Sequence, residues 1–136
     1  MAKWAIPGAG DIVWCVFPEL PDLTPGRKPR PALVVTVENR VDGDIVTLAY
    51  GTSKHLDRLK AGEFAITKAK HQTAYALAGL ACDTKFDFKL ITDLPWGERY
   101  FKVPLRNPHG NTPKIGTLHA TVQRAAATAY QAAMSR

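Results

Sequence analysis

A mostly β domain of α+β type, with one C-terminal α-helix packed on its sheet, is the fold class the sequence predicts. Three observations predict it. Apolar runs rich in β-branched residues recur at 12–17, 32–37 and 45–50, each bounded by Gly, Pro or Asp as strands are. An alanine-rich stretch near the end repeats apolar or small residues at intervals of three and four, the period of a helix. A length of 136 residues with 46% hydrophobic side chains supports one core, so a single domain over 1–136 is expected.

Gly10-Asp11 marks a turn, and Ile12-Val13-Trp14-Cys15-Val16-Phe17 after it reads as a buried strand ended by Pro18. Residues 19–29 are proline-rich and form a long loop, a feature that is usually functional or disordered in a compact domain. The basic loop end Arg27-Lys28-Pro29-Arg30-Pro31 turns directly into a strand over 30–38. Pro29 and Pro31 fix φ and hold the residues before them extended, so Arg30 enters the strand with few backbone alternatives. Val41-Asp42-Gly43-Asp44 makes a hairpin turn into a third strand over 45–50. That strand stops at Gly51-Thr52-Ser53-Lys54, where Thr52 or Ser53 can cap a short helical segment over 55–59. A short strand follows at 64–66.

The apolar run at 73–82 reads as a strand that breaks at Asp83 and restarts with alternating polar and apolar positions to 89. Leu94-Pro95-Trp96-Gly97 is a turn, 99–103 an edge strand, and 107–113 a loop. The final helix spans about 117–134 with Leu118, Val122, Ala125, Ala129 and Ala133 on its inner stripe, placed to lie across the sheet and close the core.

A formal charge of +6 and a pI near 9.5 favour a polyanionic partner. The first residues lack the apolar core of a signal peptide, and no run approaches the roughly 18 residues of a membrane span, so a cytoplasmic protein is expected. Cys15 and Cys82 stand far apart with no close Cys or His partner; neither a zinc spacing nor a redox pair is present, and both read as buried free thiols. The four histidines, at 55, 71, 109 and 119, have no telling spacing and read as solvated. No phosphate-binding glycine loop, nucleophile elbow or metal-ligand cluster occurs, which disfavours NTP hydrolysis, acyl transfer and metal-assisted hydrolysis and leaves no cofactor expected.

What remains are polar residues at strand ends: Arg30, Thr52, Ser53 and Asp83. A guanidinium on a stiff strand suits a planar anion such as phosphate, although an ordinary solvated arginine at a loop junction fits the same residues. Hydroxyls beside Lys54 suit an anion as well as a cap. Asp83, after an apolar run, either sits near a strand end with a partly desolvated carboxylate or caps locally.

Taken together, Gly10-Asp11-Ile12-Val13-Trp14, the Arg30-Pro31-Ala32-Leu33-Val34-Val35 strand, Thr52-Ser53, Cys82-Asp83 and Gly116-Thr117 before the helix resemble the PemK/MazF family. These are the toxins of type II toxin–antitoxin systems. The resemblance covers most of 9–92 and 114–134. It implies an SH3-like β-barrel capped by the terminal helix, a homodimer, and a metal-independent endoribonuclease acting on single-stranded RNA and neutralised by a cognate antitoxin. It carries catalytic roles over to Arg30 and Thr52, and that of base to Asp83. The family's second arginine, a general acid, falls on Ala81, shifting that role to Arg30 or a lysine such as Lys54 or Lys85. Residues 93–113 have no counterpart and are expected to be an insertion, such as an extra hairpin affecting dimerisation or RNA access.

The implied reaction is attack of a ribose 2′-hydroxyl on the adjacent phosphorus, leaving a cyclic phosphate and a 5′-hydroxyl. It requires one proton removed, one supplied, and charge on the phosphoryl oxygens stabilised. Arg30 suits the last task, and Thr52 and Ser53 can orient the 2′-hydroxyl or donate to phosphate. Arg27 and Lys28 would guide RNA, with Lys54 and Lys85 adding charge. Trp14, Phe17 or Trp96 would stack bases unless they pack in the core. Two other readings fit the same barrel: a non-enzymatic toxin that binds a protein such as a topoisomerase, and a noncatalytic nucleic-acid-binding barrel.

Overall fold

A computed structural model describes residues 4–19, 24–25 and 28–135, which leaves Arg27 outside the described residues. In chain order the elements are β1 (Asp11–Cys15), β2 (Pro18–Glu19), β3 (Thr24–Pro25), β4 (Arg30–Glu38), β5 (Ile45–Thr52), β6 (Glu63–Ile66), α1 (Gln72–Ala78), β7 (Thr84–Pro95), β8 (Lys114–Thr117) and α2 (Ala120–Met134). Six strands form one curled antiparallel sheet, a half-barrel in the order β6-β7-β5-β4-β1-β8, while β2 and β3 pair separately. The mostly β class and the terminal helix are as expected. Among the described residues no helix is long and apolar enough to cross a membrane.

Strand alternation divides the apolar residues between two cores. Ile12, Leu33, Ala49, Phe64 and Phe86 point to the helix side, where Val122, Ala126 and Ala129 of α2 and Ala74 and Ala78 of α1 cover them. The inner stripe of α2 therefore passes through Ala126, and Ala125 is exposed. Val13, Cys15, Ala32, Val34, Val46 and Leu48 point the other way, against Trp4, Trp96, Tyr100 and Phe101. The helix closes only half of the hydrophobic interior.

Residues 93–113 supply much of the second cover. They do not make an extra hairpin: β7 runs on to Pro95, and Tyr100 to Lys102 join the end of β1 through Val16 N–H to Tyr100 O at 2.6 Å and Lys102 N–H to Trp14 O at 3.1 Å. The expected edge strand is reduced to an isolated Cys15–Phe101 bridge. Trp96, at 6% exposure, is core and unavailable for stacking on a base.

The run at 73–82 is the main departure, since 72–78 is helical. Alanine favours a helix, and a short apolar run has no periodicity that separates the two states. Gly79 then adopts the left-handed conformation, φ 71°, and ends α1. Residues 55–59 form a turn instead of a helix, with Arg58 N–H donating to His55 O at 3.2 Å. Cys15 is buried, which pushes its thiol up, but Cys82 is exposed, contrary to expectation.

Candidate functional site

Beyond Leu48, the face of the sheet away from the helices changes character. Tyr50 pairs with Asp87, Thr52 with Lys85 and Glu63 with Asp87, and directly paired residues share a face. These five side chains line a cleft of about 430 Å³. Lys54, His55, Arg58 and Lys60 form its rim from the β5–β6 connection, and Leu90 adds an apolar edge.

A buried ion pair fixes the floor. Lys85 Nζ lies 3.1 Å from Glu63 Oε2, both side chains being 7% exposed. The ammonium also donates to His55 O at 3.1 Å and Arg58 O at 3.4 Å. Lys85 therefore ties the rim loop to the sheet, and its charge is engaged within the protein. Burial alone would raise the Glu63 carboxyl, but the Lys60 N–H at 2.7 Å and the Lys85 ammonium outweigh it and hold the group below its ordinary value.

The rim is shaped by His55, whose φ of 58° is left-handed. Arg58 Nη2 stands 2.9 Å from His55 Nδ1. A guanidinium only donates, so Nδ1 is the acceptor in this contact. His55 and His109 are exposed, as expected of solvated histidines, whereas His71 and His119 are half-buried and each holds a backbone N–H. His71 Nδ1 accepts from the Thr67 N–H at 3.1 Å, and His119 caps α2 by accepting from the Thr121 N–H at 3.1 Å.

Leu90 owes its place to a bulge. Tyr50 pairs with Asp87 but Ala49 with Ile91, so residues 88–90 have no partner on β5. Phe88 turns to the helix side and stacks on Phe64, with ring centroids 5.7 Å apart. Leu90 stands out at 55% exposure beside the cleft.

Of the residues singled out from the sequence, the cleft gathers Thr52, Lys54 and Lys85. Thr52 Oγ1 accepts the Lys54 N–H at 3.2 Å. Arg30 is half-buried at the start of β4 and does not line the cleft. The Ala32–Tyr50 pairing, carried two residues on, brings its backbone beside Thr52. Gly51 permits this approach, because a Cβ there would overlap the Pro31 carbonyl and reach Phe86 at 2.9 Å. Ser53 and Lys28 are exposed and outside the cleft lining.

Asp83 also lies apart from the cleft. Its Oδ1 accepts the Lys68 N–H at 2.8 Å, the local capping role left open by the sequence. The cleft carboxylates are instead Asp87 and Glu63. Tyr50, His55, Arg58, Asp87 and Leu90 were not picked out from the sequence. Period-two alternation was the usable signal for two of them, since it places Tyr50 with Thr52 and Asp87 with Lys85. Trp14 packs against the helix-side core, and Phe17 meets Tyr50 edge-on with centroids 4.8 Å apart. Among the described residues, no three His, Cys, Asp or Glu side chains gather as a metal site. No protein-family model matches the sequence, and no curated protein matches it.

Proposed function

We propose that the chain is a metal-independent endoribonuclease for single-stranded RNA, a toxin of the PemK/MazF kind on an SH3-like barrel. The observation that carries this reading is the convergence of Thr52, Lys54, His55 and Arg58 on one cleft at the end of β5, with the start of β4 alongside. The ordered resemblance of the sequence to that family supports it. The same resemblance brings a homodimer and a small antitoxin whose acidic tail covers the basic groove.

In the proposed reaction the 2′-oxygen bonds to phosphorus and the P–O5′ bond breaks. The 2′-hydroxyl proton passes to a base, and the leaving 5′-oxygen takes up another. Arg30 and the rim cations offset charge on the phosphoryl oxygens, while Thr52 orients the ribose. Asp83, the base implied by the resemblance, lies outside the cleft and holds the Lys68 N–H, so it does not meet a 2′-hydroxyl oriented by Thr52.

Single-stranded RNA incubated with the protein in EDTA is expected to yield 2′,3′-cyclic phosphate and 5′-hydroxyl ends, with the equivalent DNA uncut. Arg30→Ala should slow cleavage about 10²–10³-fold, the usual loss when one donor to a developing oxyanion is removed. Intact RNA with the wild-type protein, or equal rates for Arg30→Ala, would end this reading.

A further inference from the structure

We propose that the cleft is a subsite for one unpaired nucleotide of RNA, with its phosphate at the Thr52–Lys54–His55 end and its base against Tyr50 and Leu90. This inference rests on the ribonuclease reading for the source of the nucleotide.

The cleft has two chemically distinct ends. Lys54 and His55 follow Thr52 past the end of β5, with Arg58 completing the cationic rim. Two strand residues back, about 7 Å along β5, Tyr50 and Leu90 present an aromatic and an aliphatic surface. A site for phosphate alone would not need an exposed leucine on its wall. The bulge over residues 88–90 places one there while Phe88 remains in the core.

Asp87 is also informative. A carboxylate repels phosphate, yet Asp87 lines the cleft and pairs with Tyr50, not with Thr52. At that end it can accept an N–H from a base edge. The Lys85–Glu63 pair neutralises itself beneath the floor, leaving Lys54, Arg58 and Lys60 as the cations available to the backbone. A volume of about 430 Å³ is within the range of small-ligand sites.

The test measures affinity of the wild-type protein, Leu90→Ser and Arg58→Ala for three probes: a 2′-O-methyl RNA hexanucleotide, AMP and ribose 5-phosphate. The methylated hexamer cannot react, so binding is read independently of cleavage. Leu90 is 55% exposed, and its replacement by serine should leave the fold intact. Leu90→Ser is expected to weaken hexamer binding about five- to tenfold through lost apolar contact and to leave ribose 5-phosphate unchanged. Arg58→Ala should weaken both and lower the salt dependence of hexamer binding. Unchanged hexamer affinity in Leu90→Ser overturns the subsite even if the protein cleaves RNA. An effect on AMP without one on the hexamer overturns RNA as the nucleotide's source. If the expected pattern appears in a protein that does not cut RNA, the subsite stands and the catalytic reading falls.

Discussion

Gly116→Ala is expected to cost about 4 kcal/mol of stability and to lower the thermal midpoint by roughly 10–20 °C. The end of α1 meets β8 backbone to backbone. A Cβ on Gly116 would overlap the Ala78 carbonyl and the Leu77 oxygen, and neither can rotate away as a side chain would. Gly79 faces the same junction, where a Cβ would overlap the Ile115 carbonyl at a φ of 71°. Its N–H donates to Ala76 O at 3.1 Å and that of Leu80 to Tyr75 O at 3.4 Å, closing the helix in the usual glycine-terminated way. An added methyl at either glycine pushes α1 off β8 and uncovers Ala74, Ala78 and Ile115 in the helix-side core. Gly97→Ala is the control: nothing lies within 4 Å of its Cβ position, and a change under about 0.5 kcal/mol is expected. Thermal and urea unfolding followed by circular dichroism decide the matter. A Gly116→Ala midpoint within a few degrees of wild type would show that the junction has slack.

That junction also marks where sequence reasoning stopped working. β4 was legible to its bounds because Pro29 and Pro31 fix its entry and β-branched residues fill it. The α2 stripe was legible to within one position, since Ala125 and Ala126 differ only in which of two adjacent methyls faces inward. α1 was not, because seven residues of mostly small side chains carry almost no period, and its state is decided by Gly79 docking on β8. β8 itself has only four residues, and it is defined by its partner β1 more than by its own composition. The second core depends on Trp96, Tyr100 and Phe101 returning beneath β1, a long-range contact without local signal.

The site divides in the same way. Thr52 and Lys54 were found because a strand end in small and cationic residues is visible in sequence. His55 and Arg58 were passed over because their importance comes from a left-handed turn held by Lys85, thirty residues from His55. For Asp83 the sequence allows either a partly desolvated carboxylate at a strand end or a local cap, and the cap is what forms. With 72–78 helical, it lies in the connection to β7 and holds the Lys68 N–H.

Lys85→Met is expected to cost about 3–5 kcal/mol, the usual result of removing one partner from a buried ion pair. Methionine keeps the volume but leaves the Glu63 carboxylate, 7% exposed, without its cation and the His55 and Arg58 carbonyls without their donor. Glu63→Leu in the same background should recover part of the loss, because the orphaned charge disappears while the two carbonyls stay unserved. The pH dependence separates charge from packing. In the wild type the Glu63 carboxyl lies below its ordinary value in the folded state. Its contribution to stability is therefore complete above an unfolded value of about 4.3 and is lost as pH falls through the lower folded value. In Lys85→Met the burial that opposes ionisation loses its main counterweight, so protonating Glu63 relieves the variant while it weakens the wild type. The stability gap between the two should narrow as pH is lowered below about 5, measured by urea unfolding at a series of pH values. A gap that stays constant between about pH 7 and pH 4 would mean that Lys85 holds the rim loop through its two carbonyl contacts and that its charge on Glu63 is immaterial.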